Sequence, residues 1–354
     1  MTALPRVAAP PERAATRSPA EAAATLRRLA NGLRVSQALF VAAQLGVADH
    51  LAERPLDRFG LAAVTGTDAA ALGRLMRALC ALGIFAESRS GHFSLRPVGQ
   101  FLRSEVAGSY RAGVLFHAGS VRWRCWSDLL ETVRTGANAS ERLLGKPIFE
   151  FYAADMQESK IHNEAMRAAS ASHADILLDV LDFGRAGVIV DVGGGTGEFL
   201  AAILAPNRGL RGVLFDLPTV ADRAAPILGE VADRCTIERG NFFDCVPRNG
   251  DTYLLKHILH DWDDERVGAI LRCCRRCMPA GSRLFIIERK LPDLATPETN
   301  PEGFLTDLEM LVMTSGGRER TEAEFRDLLT NAGFELVRIV PTASSLFAFE
   351  ARPA

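Results

Sequence analysis

The pattern of apolar positions changes near residue 183. From there to the end, short β-branched and aromatic runs alternate with stretches in which apolar residues recur every three or four positions. This alternation is typical of a doubly wound α/β sheet with helices on both faces. The last two predicted strands are joined by only three residues, so we expect them to pair antiparallel at one side of the sheet. The predicted strands are residues 188–192, 212–216, 235–239, 252–256, 283–288, 334–340 and 344–350.

Helical spacing dominates the beginning of the chain. Ser18 and Glu21 are placed as in a capping box, with Pro19 at the first helical position. The helix that follows is predicted to run as far as Leu45 and to carry an apolar stripe of Leu26, Leu29, Leu33, Leu39 and Phe40. A stripe so early in a chain often packs on a partner subunit, with burial in the chain's own core as the alternative. A second short helix is predicted over residues 47–53.

Residues 57–104 predict a helix, a turn, a second helix over residues 68–82 capped by Thr67, and a small hairpin. This order is the pattern of a winged helix. Its predicted recognition helix offers only Arg74 and Arg77 as basic side chains and no Asn, Gln or Ser to read bases. We therefore expect a winged helix that forms a dimer. A winged-helix regulator with a ligand-sensing domain stays open as an alternative, and it predicts salt-dependent DNA binding.

A glycine-rich turn follows the first strand of the predicted sheet. Gly193, Gly195 and Gly197 allow positive φ angles and let a ligand approach the backbone closely. Asp191 lies in the strand before this turn, and Asp216 ends the next strand, where it can bind ribose hydroxyls. Carboxylates would repel a pyrophosphate but attract a sulfonium nucleoside that carries an ammonium group. With these carboxylates, the turn resembles that of the S-adenosylmethionine-dependent methyltransferases, and the resemblance implies S-adenosylmethionine as the cofactor.

A nicotinamide dehydrogenase is the first rival interpretation of this turn. The glycine spacing is Gly-x-Gly-x-Gly, whereas the dinucleotide fingerprint is Gly-x-Gly-x-x-Gly. The chain has three tyrosines, and none is followed by lysine four residues later. Both observations disfavour a dehydrogenase.

Two histidines, His257 and His260, come directly after the strand over 252–256, at the edge of the sheet where functional residues of such folds lie. A pair three residues apart can chelate a metal, but a free general base explains the stretch without further ligands, so no metal is expected. Asp263 or Asp264 is expected to cap the next helix. Thr321 is placed to cap another helix in a capping box with Glu324.

Residues 105–182 predict helices with an unusual content of aromatic and polar side chains. These include Trp123, Trp126, Phe149, His162 and Met166. Because this segment directly precedes the glycine-rich strand, its helices can roof the ligand pocket. Met166 is a soft, adaptable side chain suited to an aromatic ligand.

Composition adds limits on the class of protein. The chain has 354 residues, 48% hydrophobic content and a net charge of −2, so bulk charge gives no case for nucleic acid or for an anionic membrane. No apolar run approaches about 18 residues, which argues against a transmembrane helix. The first residues lack the apolar core of a signal peptide, so they are predicted to be a disordered leader and the protein to be cytoplasmic.

Seven cysteines are present, and Cys273, Cys274 and Cys277 cluster on a basic predicted helix. A zinc site would need four ligands, and no second Cys or His pair lies nearby in the sequence. We expect reduced, partly buried thiols and no disulfide framework.

Several stretches taken together resemble the plant caffeate/flavonoid-type O-methyltransferases and their bacterial relatives in aromatic polyketide and related secondary metabolism. The resemblance spans nearly the whole chain from about residue 20, and the order of its motifs is specific to that family. It implies a Rossmann-like seven-stranded methyltransferase sheet with an N-terminal helical winged-helix dimerisation domain. The resembling stretches are residues 190–197, 215–218, 240–244, 256–265, 287–290 and 316–321.

The resemblance implies four segments and three sets of site residues. The segments are a leader over 1–18, a dimerisation domain over 19–104, a helical linker over 105–182 and a catalytic domain over 183–354. The catalytic set is His260 as the base, with Glu288 and Glu319 flanking and orienting it. The implied cofactor-binding residues are Asp191, Gly193, Gly195, Asp216, Leu217, Asn241, Phe242, Phe243, Lys256 and Trp262. The residues implied to bind the aromatic acceptor are Phe149, His162, Met166, Asp307 and Met310.

Asn241 departs from the family pattern, which usually has an acid at this position to hold the adenine amino group. An amide oxygen still accepts that hydrogen bond, but without charge assistance. Weakened cofactor binding is therefore expected. A relative that keeps the cofactor but performs hydroxylation or decarboxylation stays open as an alternative to methyl transfer.

The implied reaction is an in-line displacement in which a phenolic oxygen attacks the sulfonium methyl while His260 takes the phenol proton. A phenol has a pKa of ~10 and a histidine ~6.5, so full proton transfer is uphill by about 5 kcal/mol. A positive charge ~4 Å away offsets about 4 kcal/mol of this at an effective dielectric constant near 20. A carboxylate on the other imidazole nitrogen stabilises the resulting imidazolium.

Overall fold

The structure is a computed structural model that describes residues 18–184 and 187–354. The predicted leader lies outside the described residues except for Ser18. By their internal contacts the residues form two compact units, with the boundary between Gly99 and Gln100. The helices of the segment 105–182 thus belong to the same unit as the large sheet.

The first unit contains helices and a small antiparallel sheet. Its helices are α1 Pro19–Ala30, α2 Gly32–Gln44, α3 Val47–Glu53, α4 Arg58–Thr65 and α5 Ala69–Ala81. Its strands are β1 Leu56–Asp57, β2 Phe85–Glu87 and β3 His92–Leu95, in the order β1-β3-β2. The predicted hairpin and the helix over residues 47–53 are confirmed. Strand β1 was not predicted, because two residues are too few to show a periodicity.

Two predictions for the first unit are wrong in detail. The single helix expected up to Leu45 is broken at Asn31, which is the C-cap of α1 and the N-cap of α2. Asn31 and the following Gly32 both have low helix propensity, which explains the break. Helix α5 is capped by Asp68, whose carboxylate accepts the N–H of Ala71 at 2.7 Å, and not by Thr67.

Helix α1 starts as predicted and leaves its apolar side chains exposed. Ser18 and Glu21 form the capping box. No residue of α1 is buried, and Leu26 and Leu29 are 69% and 66% exposed. An amphipathic helix with a solvent-exposed leucine face has not buried the surface that normally stabilises it, so this face is suited to contact with another protein surface.

The second unit begins with helices that precede the large sheet. They are α6 Arg111–His117, α7 Ser120–Trp126, α8 Leu129–Thr135, α9 Ala139–Leu144, α10 Ile148–Ala154 and the long α11 Met156–Leu178. The mostly helical character predicted for residues 105–182 is confirmed. A short 3-10 helix, Val98–Leu102, spans the boundary between the units.

The large sheet has the predicted alternation of strands and helices. Its strands are β4 Val188–Val192, β5 Arg211–Asp216, β6 Cys235–Arg239, β7 Thr252–Lys256, β8 Arg283–Leu291, β9 Arg320–Thr321, β10 Phe334–Pro341 and β11 Leu346–Pro353. The helices between them are α12 Glu198–Leu204, α13 Pro218–Ala221, α14 Ala225–Leu228, α15 Asp264–Cys277, α16 Glu302–Met313 and α17 Glu322–Asn331. Two 3-10 helices, Gly229–Arg234 and Leu259–Asp261, complete the order.

Seven of these strands run in the order β10-β11-β8-β7-β4-β5-β6. The four neighbouring pairs β8–β7, β7–β4, β4–β5 and β5–β6 are parallel. Strand β11 is antiparallel to β10, as predicted, and it is also antiparallel to β8. The eighth strand, β9, has only two residues and pairs with the end of β8. This pairing brings the residue just before β9, Glu319, to the edge of the sheet.

Successive residues of the central strands pack on opposite faces of the sheet. Ile189, Leu214 and Leu254 belong to a core cluster with α11 and α12. Val190 and Leu255 belong to a second cluster with α15 and α17. With both faces covered, the carboxyl ends of the parallel strands are left as the open edge, which is where ligands of such sheets bind.

The cysteines are free, as expected, and the cluster on α15 is buried. Cys273, Cys274 and Cys277 are buried, whereas Cys245 is exposed. Within residues 18–184 and 187–354, no helix combines the length and the apolar character that crossing a membrane requires.

Candidate active site

The glycine-rich turn forms a backbone cradle at the end of β4. Gly193, Gly195 and Gly197 all have positive φ, between 63° and 93°. The Gly193 N–H donates to the carbonyl of Phe215 at 2.8 Å, which ties the turn to β5. A Cβ added to Gly195 would meet nothing within 4 Å, so open space lies beside the turn. The cradle therefore leaves room for a ligand directly at the open edge of the sheet.

Asp216 borders this cradle from the end of β5. One carboxylate oxygen accepts the N–H of Gly195 at 2.8 Å, and the other accepts the N–H of Leu217 at 2.7 Å. Burial raises the pKa of Asp216 to about 6, although both hydrogen bonds act in the opposite direction. Each oxygen keeps a further lone pair, as a carboxylate needs in order to accept from ribose hydroxyls.

Asp191 and Lys256 form the charged floor of the cradle. Asp191 is 2% exposed, and its Oδ2 is buried without a hydrogen-bond partner. Burial raises the pKa of Asp191 to about 7, and the charge of Lys256 opposes this rise. The Lys256 ammonium donates to the hydroxyl of Ser170 at 3.0 Å. A buried carboxylate oxygen that lacks a donor fits the ammonium group of an amino-acid moiety, so these residues fit S-adenosylmethionine.

An aromatic cluster adjoins the cradle. The ring centroids of Phe242 and Phe243 are 5.0 Å apart, and that of Phe243 lies 4.9 Å from Trp262. Asn241, next to this cluster, uses its Oδ1 to accept the N–H of Phe243 at 3.0 Å. Leu217 is 47% exposed. Aromatic faces and an exposed leucine form the apolar surface that an adenine ring requires.

Glu288 holds the turn that carries His260. From β8, its Oε1 accepts the N–H groups of Ile258 and Leu259, each at 2.9 Å. The Glu288 side chain is fully buried, and its Oε2 lies 3.7 Å from Nδ1 of His260. Immediately before this turn, His257 has a φ of 54°, a left-handed conformation that is rare for a residue with a Cβ. A strained residue beside a buried carboxylate is the kind of feature that accompanies active sites.

Glu319 orients the imidazole ring of His260. Its Oε1 lies 3.0 Å from Nδ1 of His260, and its own N–H donates to Asp307 Oδ1 at 2.8 Å. Since a carboxylate only accepts, Nδ1 carries the proton and Nε2 of a neutral ring is the basic nitrogen. Asp261, which the sequence did not single out, places its Oδ1 3.8 Å from this Nε2.

The carboxylates around His260 control its charge. Burial lowers the pKa of His260, but the charges of Glu288, Asp261 and Glu319 outweigh burial and raise the pKa to about 10. Burial in turn raises the pKa of Asp261 to about 7, against the effect of His260. In the ligand-free chain the imidazole thus holds a proton more tightly than a free histidine does.

The alternative interpretation of the two histidines, as ligands of a metal ion, has partial geometric support. Ligand atoms of His257, His260 and Glu288 all lie within 4.8 Å of one another. However, Nδ1 of His260, which faces Glu288, already shares a hydrogen bond with Glu319. A metal at this position would have to break that bond, so we interpret the cluster as an oriented base.

The helices of the second unit supply an aromatic wall. His162 on α11 stacks on Tyr152 with a centroid distance of 4.6 Å, and Phe149 lies 6.5 Å from His162 and 6.3 Å from Trp262. Burial and the charge of Arg122 lower the pKa of His162 to about 4, so this ring is neutral at pH 7. The wall therefore leads from α10 and α11 to the residues next to His260.

The remaining acceptor candidates differ in exposure. Met166 is 38% exposed, whereas Met310 is 8% exposed. Asp307 accepts the backbone N–H of Glu319, so it helps to fix the position of that residue.

A buried ion pair behind the aromatic wall was not predicted. Arg122 on α7 donates from Nε to Glu309 at 2.5 Å and from a terminal nitrogen to the hydroxyl of Tyr152 at 2.7 Å. Trp126 also donates to Glu309. Arg122 and Glu309 are 187 positions apart, and no local pattern signals a contact over that separation. The network fixes Tyr152, on which His162 stacks.

The chain matches two family models. The O-methyltransferase domain matches residues 126–335, and the O-methyltransferase dimerisation domain matches residues 27–105. Phenazine O-methyltransferase PhzM from Lysobacter antibioticus is 41% identical over 330 residues, which cover 93% of this chain and 95% of that protein.

Solved structures agree in fold over nearly their full length. The mitomycin 7-O-methyltransferase MmcR has a TM-score of 0.87 at 34% identity, covering 95% of this chain and 98% of that one. A methyltransferase in calicheamicin biosynthesis, in its SAH-bound form, has a TM-score of 0.83 at 35% identity, covering 96% and 100%. The chain therefore belongs to the O-methyltransferase family, and it is an S-adenosylmethionine-dependent O-methyltransferase with an N-terminal dimerisation domain.

Proposed function

We propose that this enzyme methylates a phenolic hydroxyl of an aromatic small molecule in secondary metabolism, with Nε2 of His260 as the general base. The observation that carries this proposal is the hydrogen bond between His260 Nδ1 and Glu319 at 3.0 Å, since it leaves Nε2 free to take a proton. Relatives named for phenazine and mitomycin support an aromatic acceptor.

The two glutamates have separate roles in the proposed mechanism. Glu319 fixes the ring orientation and stabilises the imidazolium that forms when the phenol proton arrives, as the carboxylate of a catalytic triad does. Glu288 holds the backbone of residues 258 and 259 in place and adds a second negative charge near the ring. The remaining acceleration comes from holding the acceptor oxygen in line.

The cofactor supplies an electrophilic methyl group on a positively charged sulfur. In the proposed binding mode, Asp191 and the Gly193 turn hold the ammonium end, Asp216 holds the ribose, and Lys256 contributes a positive charge for the carboxylate. Phe242, Phe243 and Trp262 enclose the adenine, with Leu217 opposite and Asn241 at the adenine amino group. The unpartnered oxygen of Asp191 and the open space at Gly195 support this assignment.

The proposed acceptor site is the aromatic wall. Phe149 and the neutral ring of His162 present flat apolar surfaces to a planar acceptor, and Met166 and Met310 adapt to its outline. Two aromatic rings that stack or meet edge to face are worth ~0.5–1.5 kcal/mol beyond the area they bury, so this wall favours aromatic acceptors.

We further propose that the enzyme acts as a homodimer formed through residues 19–104. The match to the family's dimerisation domain and the exposed leucine face of α1 support this proposal.

The first test is a calorimetric titration with S-adenosylmethionine, S-adenosylhomocysteine and NAD, followed by methyl-transfer assays on a panel of phenolic acids and hydroxylated polycyclic aromatics. We expect both sulfur nucleosides to bind, NAD not to bind, and at least one phenol to become methylated. If both nucleosides bind but no phenol or other hydroxyl is methylated, the proposed phenolic acceptor is wrong and a non-methylating activity is favoured.

A further inference from the structure

The site around His260 holds more buried negative charge than positive charge. The side chains of Glu288 and Glu319 are fully buried, and that of Asp261 is 19% exposed. Across residues 18–184 and 187–354, the ion pairs recorded for these three carboxylates all have a histidine as the partner. Because buried carboxylates are costly without a counter-ion, this site requires a cation.

Two individual carboxylate oxygens of this cluster lack a partner. Oε2 of Glu288 and Oε2 of Glu319 are buried and have no hydrogen-bond partner. In the cofactor-free chain, the imidazole of His260 lies within 4 Å of all three carboxylates and can supply a positive charge to them by taking a second proton. Although burial lowers the pKa of His260, the three carboxylates raise it to about 10, which keeps the ring protonated at neutral pH.

Other charged groups near this cluster are engaged elsewhere or are neutral. Burial, together with the charge of Lys256, lowers the pKa of His257 well below its usual value, so this ring is uncharged. Burial also lowers the pKa of His173, to about 4. Asp307 accepts the N–H of Glu319. Three neighbouring guanidinium groups have carboxylate partners outside the cluster: Arg320 pairs with Asp264, Arg122 with Glu309 and Arg289 with Glu302. Lys256 donates to the neutral hydroxyl of Ser170, and its charge acts on both Asp191 and Glu288, so it offsets only part of the negative charge of the cluster.

We propose that His260 is protonated in the cofactor-free enzyme and releases this proton when S-adenosylmethionine binds, so that the proton and the sulfonium charge alternate as the counter-ion of the same buried carboxylates. This inference rests on the proposed function of the site. Two positive charges placed beside the same imidazole and carboxylates repel each other, and the mobile one leaves. His260 thereby becomes a base only when the methyl donor is present.

The charge balance of methyl transfer fits this alternation. As the new O–CH₃ bond forms, the electron pair of the breaking S–CH₃ bond stays on sulfur, and the phenol proton passes to Nε2 of His260. One positive charge disappears from sulfur and one appears on the imidazole, so Glu288, Glu319 and Asp261 keep one counter-ion throughout. His260 therefore remains protonated beside the neutral S-adenosylhomocysteine, and its proton leaves when the next methyl donor enters.

The test compares two ligands that differ by one methyl group and one charge. S-adenosylmethionine and S-adenosylhomocysteine share the adenosine and the amino acid, so protons linked to those parts are common to both. Calorimetric titrations at pH 7.0 in phosphate and in Tris give the number of protons released with each ligand. We expect S-adenosylmethionine to release more protons than S-adenosylhomocysteine, with a difference that rises from about half a proton at pH 7 toward one proton at pH 8, and its affinity relative to that ligand to rise with pH over the same range.

His260→Gln removes the titrating group and tests the assignment. In this variant the two ligands should release equal numbers of protons. S-adenosylmethionine should bind at pH 6 at least about tenfold more tightly than to the wild type, while S-adenosylhomocysteine affinity stays within about twofold. Glu265→Gln, at an exposed carboxylate on α15, changes the charge of the protein by one unit outside the site and should behave like the wild type.

Retained S-adenosylhomocysteine binding shows that the variant is folded. If His260→Gln no longer binds S-adenosylhomocysteine, Glu319→Gln is used in its place. In Glu319→Gln, the difference in proton release between the two ligands at pH 8 should be smaller than in the wild type. Equal proton release by both ligands in the wild type overturns the proposal and leaves the methyltransferase function standing. A difference that persists in His260→Gln overturns it as well, and failure of both nucleosides to bind the wild type contradicts the proposed function too.

Discussion

His260 depends on three separate parts of the chain for its orientation. Glu288 on β8 holds its backbone, Glu319 before β9 holds its Nδ1, and Asp261 beside it faces Nε2. Each contact is a charge-assisted interaction in a site from which bulk water is largely excluded, where such interactions are stronger than at the surface. The imidazole ring is therefore oriented before any ligand arrives.

Replacing His260 by Ala should remove most turnover. Loss of a general base typically lowers the rate by about 10²- to 10⁴-fold, and the contacts of the glycine turn with the cofactor do not involve this side chain. Steady-state kinetics with a methylated phenol and titration with S-adenosylhomocysteine check both statements. Unchanged kcat would refute the assignment of His260 as the base.

Asn241→Asp should tighten cofactor binding. The single oxygen of the amide already accepts the N–H of Phe243, so an adenine amino group has to share it. A carboxylate would keep that bond with one oxygen and offer the other, with charge assistance, to the adenine; we expect a gain of about 3- to 10-fold in affinity. Equal or weaker affinity of Asn241→Asp for S-adenosylhomocysteine would contradict this explanation.

The position of the candidate site residues in the fold was easier to predict than their contacts. Asp191 and Asp216 lie at the carboxyl ends of predicted strands and His260 follows another, and the geometry of parallel sheets places these strand ends together. The left-handed backbone of His257 and the pairing of Arg122 with Glu309 had no counterpart in any local pattern. Such features depend on packing between distant segments, which a single sequence does not encode in its periodicity.

The segment between α16 and α17 carries Glu319 to the base. Gly317 in this segment presses against the turn of His260: a Cβ there would lie 2.5 Å from the His260 carbonyl oxygen and 2.7 Å from the carbonyl carbon of Asp261. Arg320 then anchors β9 by donating to the carbonyls of Leu259 and Trp262. The position of Glu319 is thus fixed by backbone contacts on both sides.

Gly317→Ala should displace this segment and lower activity. Because the added methyl overlaps backbone atoms that cannot move away freely, we expect about 1–3 kcal/mol less stability and a kcat at least about tenfold lower. Chemical denaturation and kinetics measure the two effects. Gly209→Ala, where a Cβ meets nothing within 4 Å, serves as the control and should leave both near wild type.

The elements themselves were mostly predictable from periodicity and capping. The strands were found within a few residues, and the cap of α15 by Asp263 and the capping box of α17 are confirmed. The predicted fifth and seventh strands end later than expected, at Leu291 and Pro353, because pairing with neighbouring strands extends them beyond their apolar runs. The break at Asn31 was missed because leucine spacing continues across it.

The first unit carries an exposed apolar surface that fits the proposed dimer. Several leucines on α1 and at the start of α2 are exposed side by side, which is unusual for a surface that contacts only water. The family match names this region a dimerisation domain. The same leucine spacing was visible in the sequence, but the sequence did not show that these side chains stay uncovered in the single chain.

The double variant Leu26→Lys/Leu29→Lys should shift the protein from dimer to monomer. Both side chains are more than half exposed in the single chain, so the change removes interface contacts with little cost to its core. Light scattering after size-exclusion chromatography reports the mass. Leu294→Lys, at a leucine that is 72% exposed in the second unit, is the matched control and should remain a dimer; an unshifted double variant would place the interface elsewhere.

The uneven burial of the cysteines makes the chain convenient to label. Burial raises the pKa of Cys235 to about 11, and of Cys273 likewise to about 11, so these thiols resist alkylation at neutral pH, whereas Cys245 is exposed. Cys245 lies in the loop that begins with Asn241 and carries Phe242 and Phe243. A maleimide dye attached there, without any mutation, should therefore turn the arrival of adenine into a fluorescence change and allow cofactor exchange to be followed in real time.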